Sequence, residues 1–549
     1  MFFFSKHKDS VNQLIPFVLP VIFFLITVWS RQMYGPYWLD INLDPTYGYL
    51  LNSLNILNNT PPTHIDHPGT TVQFFGAIIF WFMYLGSETN VIIDNVLGDP
   101  EYHLRAINYV VNFIHAILIL TIGLLACGVF KNFITPVILQ LSPLFSHLII
   151  RHGTHLKPET LLITTSLLII ILTLYVLKTG VTEKNSNKVA CFYGVVGSFG
   201  VATKVTFFPL LIVPVFLFTK KINFLFYGLT VLFSFLFFTS AIFDVYDQFF
   251  EYMKILFWGS ESYGSGLKTI INIYEYPDNL YDLLSRPMLC IPIALSLFTL
   301  HKFNFLFSKL QKGSVLSSER KYLKILKGIT LGQIFSILLI AKNPSSLYLI
   351  PVLMLSAIVI AINFELWIKN SNHTLRKKII KTTIMLIGIG LILQMSSVYR
   401  SAKEHSSYHQ DSIKVNNNEF DQCARIYFPW ASSKSFALYW GNNLAGQSFN
   451  KELRSIIPEN DFWFSVHGVR EGEVRDFLLR ISKPGIRNMD GPIDYEDILE
   501  NYSCLYFRGT DQGQFYKFLP TELLNARNVN STCSGLKEHI LTDLKICEE

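Results

Sequence analysis

Apolar residues in this chain come in long unbroken runs, and the runs stop near residue 397. Eleven of them read as membrane-spanning helices: roughly 13–30, 106–129, 133–150, 159–177, 189–203, 205–218, 222–242, 286–300, 325–341, 346–365 and 381–397. A lipid-exposed barrel strand would alternate polar and apolar positions instead, so helices are the spanning elements. Several runs fall short of the ~20 residues a straight crossing needs, so their ends must recruit flanking residues or lie beside broken helices. The stretch 189–218 is the least regular, because Lys204 separates two short runs.

A further run, 71–86, decides the topology. If it crosses, every later loop changes side. The basic loops arbitrate, since short cytoplasmic loops collect Lys and Arg. Lys302, Lys309, Lys312, Arg320, Lys321, Lys324 and Lys327 form one cluster, Lys369, Arg376, Lys377, Lys378 and Lys381 a second, and Lys220 with Lys221 a third. All three share the cytoplasmic side with Lys6, Lys8, Lys131 and Lys184 only if 71–86 does not cross. The expectation is therefore an all-α polytopic protein of about eleven transmembrane helices. Its long first external loop, 31–105, would contain a juxtamembrane helix at 71–86.

Composition fits that picture. Of 549 residues, 50% are hydrophobic and only 16% charged, against about a quarter charged in soluble domains. The net charge of +6 would suggest nucleic acid in a soluble protein. Here it resides largely in short loops, so no nucleic-acid partner is expected. The first run, with a basic flank and no small-residue cleavage signal, reads as a retained signal anchor. Residues 1–397 form the expected transmembrane domain, and the polar remainder, 398–549, a small external mixed α/β domain. Cys423, Cys504, Cys533 and Cys547 fall in that external part, where oxidising conditions could pair them; the short loop favours Cys533–Cys547. Cys127, Cys191 and Cys290 read as small buried hydrophobes. No metal-binding spacing of Cys and His is visible.

The external loops carry the candidate chemistry. The first displays Asp40, Asp44, Asp66, His64 and His67 beside an apolar run that should hold it against the membrane. A carboxylate there is partly desolvated, which raises its proton affinity and suits a general base. Asp44-Pro45 equally suits the cap of a helix starting at Thr46, and His67-Pro68-Gly69 a plain turn. A later loop carries Trp258 and Tyr263 within WGSESYGSG, flat surfaces suited to sugars or isoprenoid chains, or to an interfacial belt. Arg105, Arg151, His152, His155, Lys157, Lys204 and Lys342 lie at outer ends of spans, where basic residues are disfavoured. They could neutralise a lipid-linked phosphate or simply snorkel.

In order, these features resemble the polytopic glycosyltransferases of the C fold class, which include protein mannosyltransferases and lipid A aminoarabinose transferases. The resemblance covers about residues 10–400. Asp44-Pro45-Thr46-Tyr47-Gly48-Tyr49 is similar to the acidic motif of their first external loop, although Pro45 stands where a second acidic residue is usual, which leaves Asp40 as an alternative base. Thr60-Pro61-Pro62 and His67-Pro68-Gly69 look like the proline-rich stretch that follows. Gly86, Arg105, His155-Leu156-Lys157-Pro158-Glu159, Gly200 to Thr206 around Lys204, Tyr263-Gly264-Ser265-Gly266, and Lys342 with Tyr348 and Pro351 come in family order.

The resemblance implies transfer of a sugar from a polyprenyl-phosphate donor to a lipid, glycan or protein acceptor on the outer face of the membrane. Asp44, or Asp40, would deprotonate the acceptor hydroxyl. Attack opposite the phosphate would then invert the anomeric carbon. Arg105, Lys157, Lys204 and Lys342 would offset charge on the phosphate, with His67 and Tyr263 also contacting substrate. The acidic groups leave room for a divalent metal without requiring one. The compact loops suggest a bacterial inner membrane. A transporter or flippase of a lipid-linked saccharide, a saccharide polymerase and a non-catalytic assembly subunit remain rival readings.

Overall fold

The computed structural model describes residues 10–39, 46–66, 68–182, 184–259, 269–309, 316–414, 423–427, 433–465, 485–502, 505–508, 529–531 and 538–541. Up to residue 414 these are almost entirely helical, because in hydrocarbon only internal hydrogen bonds can satisfy the backbone. The helices are α1 (Ser10–Met33), α2 (Thr46–Leu57), α3 (Thr70–Met83), α4 (Thr89–Gly98), α5 (Pro100–Val129), α6 (Ile134–Gln140), α7 (His147–Gly153), α8 (Pro158–Thr179), α9 (Ser186–Thr203), α10 (Lys221–Phe238), α11 (Tyr246–Trp258), α12 (Tyr276–Leu284), α13 (Pro287–Lys309), α14 (Leu316–Ile340), α15 (Ile350–Lys369) and α16 (His373–Lys414). Among the described residues, seven are long and apolar enough to cross a membrane, or eight if α12 and α13, bent by 86° where they meet, count as one. The chain is a multi-pass, mostly α-helical membrane protein.

Prolines explain why some expected spans are not continuous helices. Between α6 and α7 the chain makes a 3-10 turn at Ser142–Leu144, where Pro143 has no N–H to continue an α-helical ladder. Val205–Ile212 and Val215–Leu217 are also 3-10, around Pro209 and Pro214. This narrow segment lies hard against α14, where a Cβ on Gly328 would stand 2.2 Å from the Val213 carbonyl oxygen. Helix α3, at 14 residues, reaches only about 21 Å at ~1.5 Å per residue. It buries Thr70, Gln73, Gly76 and Phe80 while exposing Ile78, Trp81 and Phe82. Helix α15 is mostly apolar, without a polar face, and buried along nearly its whole length, at the centre of the bundle. Helix α10, by contrast, buries only Asn223 and Tyr227.

The two ends of the bundle differ in chemistry. At one end Lys302 lies 3.9 Å from the Trp367 ring centroid and Lys369 lies 4.6 Å from that of Tyr322. Glu365 accepts there from Asn132 and Thr135, and Asn223 at the start of α10 bonds Asn187 at the start of α9 at 2.8 Å. At the other end the last turn of α1 meets the first turn of α5, the α7–α8 turn and the outer part of α16, where His405 packs on Tyr34 with centroids 4.6 Å apart. Cys127 and Cys290 lie exposed on the outer surface of the helices and Cys191 half-buried there, none of them in the core.

Beyond α16 the chain forms a small mixed α/β unit. Its strands are β1 (Ala424–Tyr427), β2 (Asp461–Ser465), β3 (Gly485–Asn488), β4 (Gly491–Ile493), β5 (Leu505–Arg508), β6 (Val529–Ser531) and β7 (Glu538–Leu541), ordered β4-β3-β2-β1-β5-β7-β6. The central strands β2, β1 and β5 are parallel and the flanking pairs antiparallel. Helices α17 (Lys434–Leu444) and α18 (Asn450–Arg454) connect β1 to β2, and α19 (Tyr495–Asn501) precedes β5. The unit does not stand apart from the first loop: Phe436, Leu438, Phe449, Leu453 and Trp463 share one buried core with Tyr47, Leu50, Leu54, Val96 and Leu97. Cys423 is disulfide-bonded; Cys504, Cys533 and Cys547, including the expected Cys533–Cys547 pair, lie outside the described residues.

Candidate functional site

Polar and charged groups are concentrated at the end of the bundle where α1, α2, α5, the α7–α8 turn and α9 converge. Arg31, in the last turn of α1, is wholly buried. Its guanidinium carbon lies 4.0 Å from the Tyr37 ring centroid and 5.7 Å from that of Tyr34, and Nη2 donates to the Gly35 carbonyl. Among the described residues Nε and Nη1 have no hydrogen-bond partner. Such a group is costly to bury unless something completes it.

Among the described residues Glu101 is the carboxylate that acts on the Arg31 charge; it is placed by the Asp99-Pro100 start of α5, where the Asp99 side chain accepts from the Tyr102 N–H. It accepts from the Tyr37 N–H at 2.9 Å, the Trp38 N–H at 3.3 Å and the Tyr47 hydroxyl at 2.8 Å. One carboxylate thus ties the segment after α1 to the first turn of α2. Those two segments flank positions 40–45. Burial pushes the Tyr37 and Tyr47 phenols well above their usual range, so both act as neutral hydroxyls. Tyr37 directs its hydroxyl at the carbonyls of Thr154 at 3.2 Å and Leu104 at 3.4 Å.

The α7–α8 turn extends the site. His155 approaches the Thr46 hydroxyl at 3.5 Å and meets the Tyr37 ring edge-on at 5.8 Å. Burial, and after it the Lys157 ammonium, hold His152 and His155 well below the usual imidazole value, so both are neutral at pH 7. Glu159 and Lys204 form a buried ion pair at 2.5 Å, and the Lys204 ammonium lies 4.5 Å from the Tyr348 ring centroid. Asp66 and His64, both buried, stand 3.6 Å apart. His64 meets Tyr49 edge-on at 5.0 Å, and its carbonyl accepts from Gln73 at 2.8 Å. Among the described residues, Arg31, Arg105, Arg151, Lys157 and Lys204 thus share this end with Glu101, Glu159 and Asp66. With the histidines neutral, the balance is cationic.

The residues singled out from the sequence are placed unevenly. Asp40, Asp44, His67 and Tyr263 lie outside the described residues. Arg105, half-buried in the second turn of α5, lies close enough to Arg31 and Glu101 to act on their charges. Lys157 is buried at the N-cap of α8. Lys204 is buried but paired, so its charge is largely balanced by Glu159. Lys342 donates its ammonium to the carbonyls of Leu256 at 2.7 Å and Phe257 at 2.6 Å, closing the last turn of α11 as cations do at helix C-termini. Arg31 and Glu101 were missed. An arginine at the outer end of the first span, and an acid just after Asp-Pro at the start of the next, were the available signals. No group of three or more His, Cys, Asp or Glu among the described residues could hold a metal ion. No protein-family model, curated protein or solved structure matches the chain.

Proposed function

We propose that this protein transfers a sugar from a polyprenyl-phosphate donor to an acceptor on the outer face of the membrane, with Asp44, or Asp40, as general base. The reading rests on one observation above all: a buried cationic site stands beside both flanks of the loop that carries those aspartates. A phosphate leaving group developing negative charge is what such a site stabilises, and Arg31, with two guanidinium nitrogens that have no hydrogen-bond partner among the described residues, suits a phosphate oxygen better than a neutral group. Arg105 and Lys157 add charge around it, Lys204 does so through its pair, and His67 and Tyr263 belong to the acceptor or sugar side.

The same reading takes the chain across the membrane eleven times. The 3-10 segment at 205–218 contributes one crossing, since ~2.0 Å per residue carries it about 28 Å. The α6–α7 segment contributes another, and α3 lies at the interface. The lysine-rich end then faces the cytoplasm and the C-terminal unit the outside, as in a bacterial inner membrane. The test replaces Asp44 and Asp40 in turn by Asn and assays sugar transfer in membranes. Loss of transfer at unchanged protein level is expected for one of them; full transfer by both, and by the double variant, would overturn the mechanism.

A further inference from the structure

The C-terminal α/β unit has no assigned role, yet it makes its closest contacts with α2, the helix that begins two residues after Asp44. The contact is backbone against backbone. A Cβ on Gly441 of α17 would stand 2.9 Å from the carbonyl carbon and oxygen of Tyr47, and one on Gly48 would stand 2.7 Å from Leu444 Cδ1. The turn after α17 then offers its carbonyls to the loop. Leu444 O accepts from Asn52 Nδ2 at 3.1 Å and from the Thr63 hydroxyl at 2.7 Å, and Ala445 O accepts from Asn55 Nδ2 at 3.1 Å. Asn52 Oδ1 in turn accepts from the Thr63 N–H at 2.8 Å. That turn passes through left-handed backbone at Gly446 and Gln447, and a Cβ on Gly446 would stand 2.9 Å from Thr63 Cγ2. Both sides of α2 are therefore gripped: Glu101 of α5 holds its first turn through Tyr47, and α17 covers its outer face.

We infer that the C-terminal unit is a clamp that fixes the position of α2, the helix that follows the aspartate-bearing segment in the chain, against α5 at the cationic site. Gly441, Leu444, Asn52 and Thr63 are positioning residues in this arrangement; none touches substrate. The inference rests on the transferase reading, because a clamp on the base matters only where a base works. A displaced base loses rate steeply, since a shift of about 1 Å can cost on the order of a hundredfold, whereas donor affinity set by Arg31 and its neighbours should hold.

The experiment compares the full-length chain with Thr63→Val, Thr63→Ser, Gly441→Val and, as a control, Lys451→Ala at an exposed position of α18. Transfer kinetics and hydrogen exchange over residues 46–57 are read for each. The expected result is faster exchange in α2 and kcat lowered about tenfold or more in Thr63→Val and Gly441→Val, with donor KM within about twofold. Thr63→Ser, which keeps the hydroxyl, and Lys451→Ala stay at the wild-type values. Gly441→Val carries the larger clash, so if it fails to accumulate, the Thr63 pair decides. Unchanged exchange in Thr63→Val overturns the clamp itself. Faster exchange with unchanged kcat overturns the positioning role alone. A wild-type chain without transfer activity overturns the transferase reading and the positioning role together, while the exchange data still report separately on the contact.

Discussion

The Glu159–Lys204 pair offers the clearest quantitative handle. Its side chains are 3% and 4% exposed and 2.5 Å apart, so neither charge can recover its lost hydration from water. At an effective dielectric near 20, unit charges about 4 Å apart attract by roughly 4 kcal/mol, and removing one member of a buried pair typically costs about 3–5 kcal/mol. In Glu159→Gln the orphaned ammonium keeps the Tyr348 ring it already has, 4.5 Å away, a contact common to both proteins that offsets none of the loss. A loss of about 3–5 kcal/mol is expected, a large part of the ~5–15 kcal/mol that holds a domain together. Lys204→Met should cost a similar amount by stranding the carboxylate. The double variant Glu159→Gln/Lys204→Met removes both charges of the pair and should return to within about 1 kcal/mol of wild type. Thermal unfolding of the four proteins in nanodiscs reads this cycle. Single variants that melt like wild type, or a double variant whose loss is the sum of the two, would refute the pairing. If Lys204 also serves the donor phosphate, the double variant regains its melting midpoint without regaining transfer.

Arg31→Gln should raise donor KM about tenfold or more, the equivalent of one lost charged hydrogen bond; an unchanged KM would remove Arg31 from the donor site. Gly328→Val, whose Cβ has no room beside the Val213 carbonyl, should destabilise the packing of the 3-10 segment on α14 by about 1–3 kcal/mol, and a wild-type melting midpoint would contradict that packing. His152 and His155 are held neutral in the folded chain, chiefly by burial and then by Lys157. The unfolded chain therefore binds protons below about pH 6.5 that the native one refuses. Stability from these groups is complete above that pH and is lost as pH falls through it, at up to ~1.4 kcal/mol per pH unit for each histidine. The melting midpoint should drop between pH 7.5 and 5.5, and less steeply in His152→Gln/His155→Gln; parallel curves would argue against neutral histidines. Finally, β1 pairs with β5 in parallel with Ala424 opposite Leu505. Cys423 precedes β1 in the chain and is disulfide-bonded, and in the sequence Cys504 precedes β5. Non-reducing peptide mapping should recover Cys423 linked to Cys504; Cys423 linked to Cys533 or Cys547 would refute that pairing.

The membrane character and the short α3 were legible because lipid imposes a one-dimensional rule on composition and length. What the hydropathy pattern concealed was continuity: Pro143, Pro209 and Pro214 break apolar stretches into short α and 3-10 pieces without making them less apolar. Pairings across long sequence separations were also hidden. Lys204 reads as a lone cation at the end of a span until Glu159, from the preceding hairpin, is found against it. The contact of Lys342 with the carbonyls at the end of α11 was hidden in the same way. The docking of α17 on α2 left no trace, because glycines and backbone carbonyls carry the contact and neither shows periodicity or charge. Arg31 was within reach, since an arginine at the outer end of a first span runs against the charge rule, as Arg105 and Arg151 do.

The most direct test compares the lipid-linked and surface glycans of cells that make this chain with those of cells lacking it, by mass spectrometry. The expected result is the absence of a single sugar unit together with accumulation of its polyprenyl-phosphate donor, both reversed by the intact chain and by neither Asp40→Asn/Asp44→Asn nor an empty vector. Identical glycans in the two cell lines, or full repair by the aspartate double variant, would contradict it.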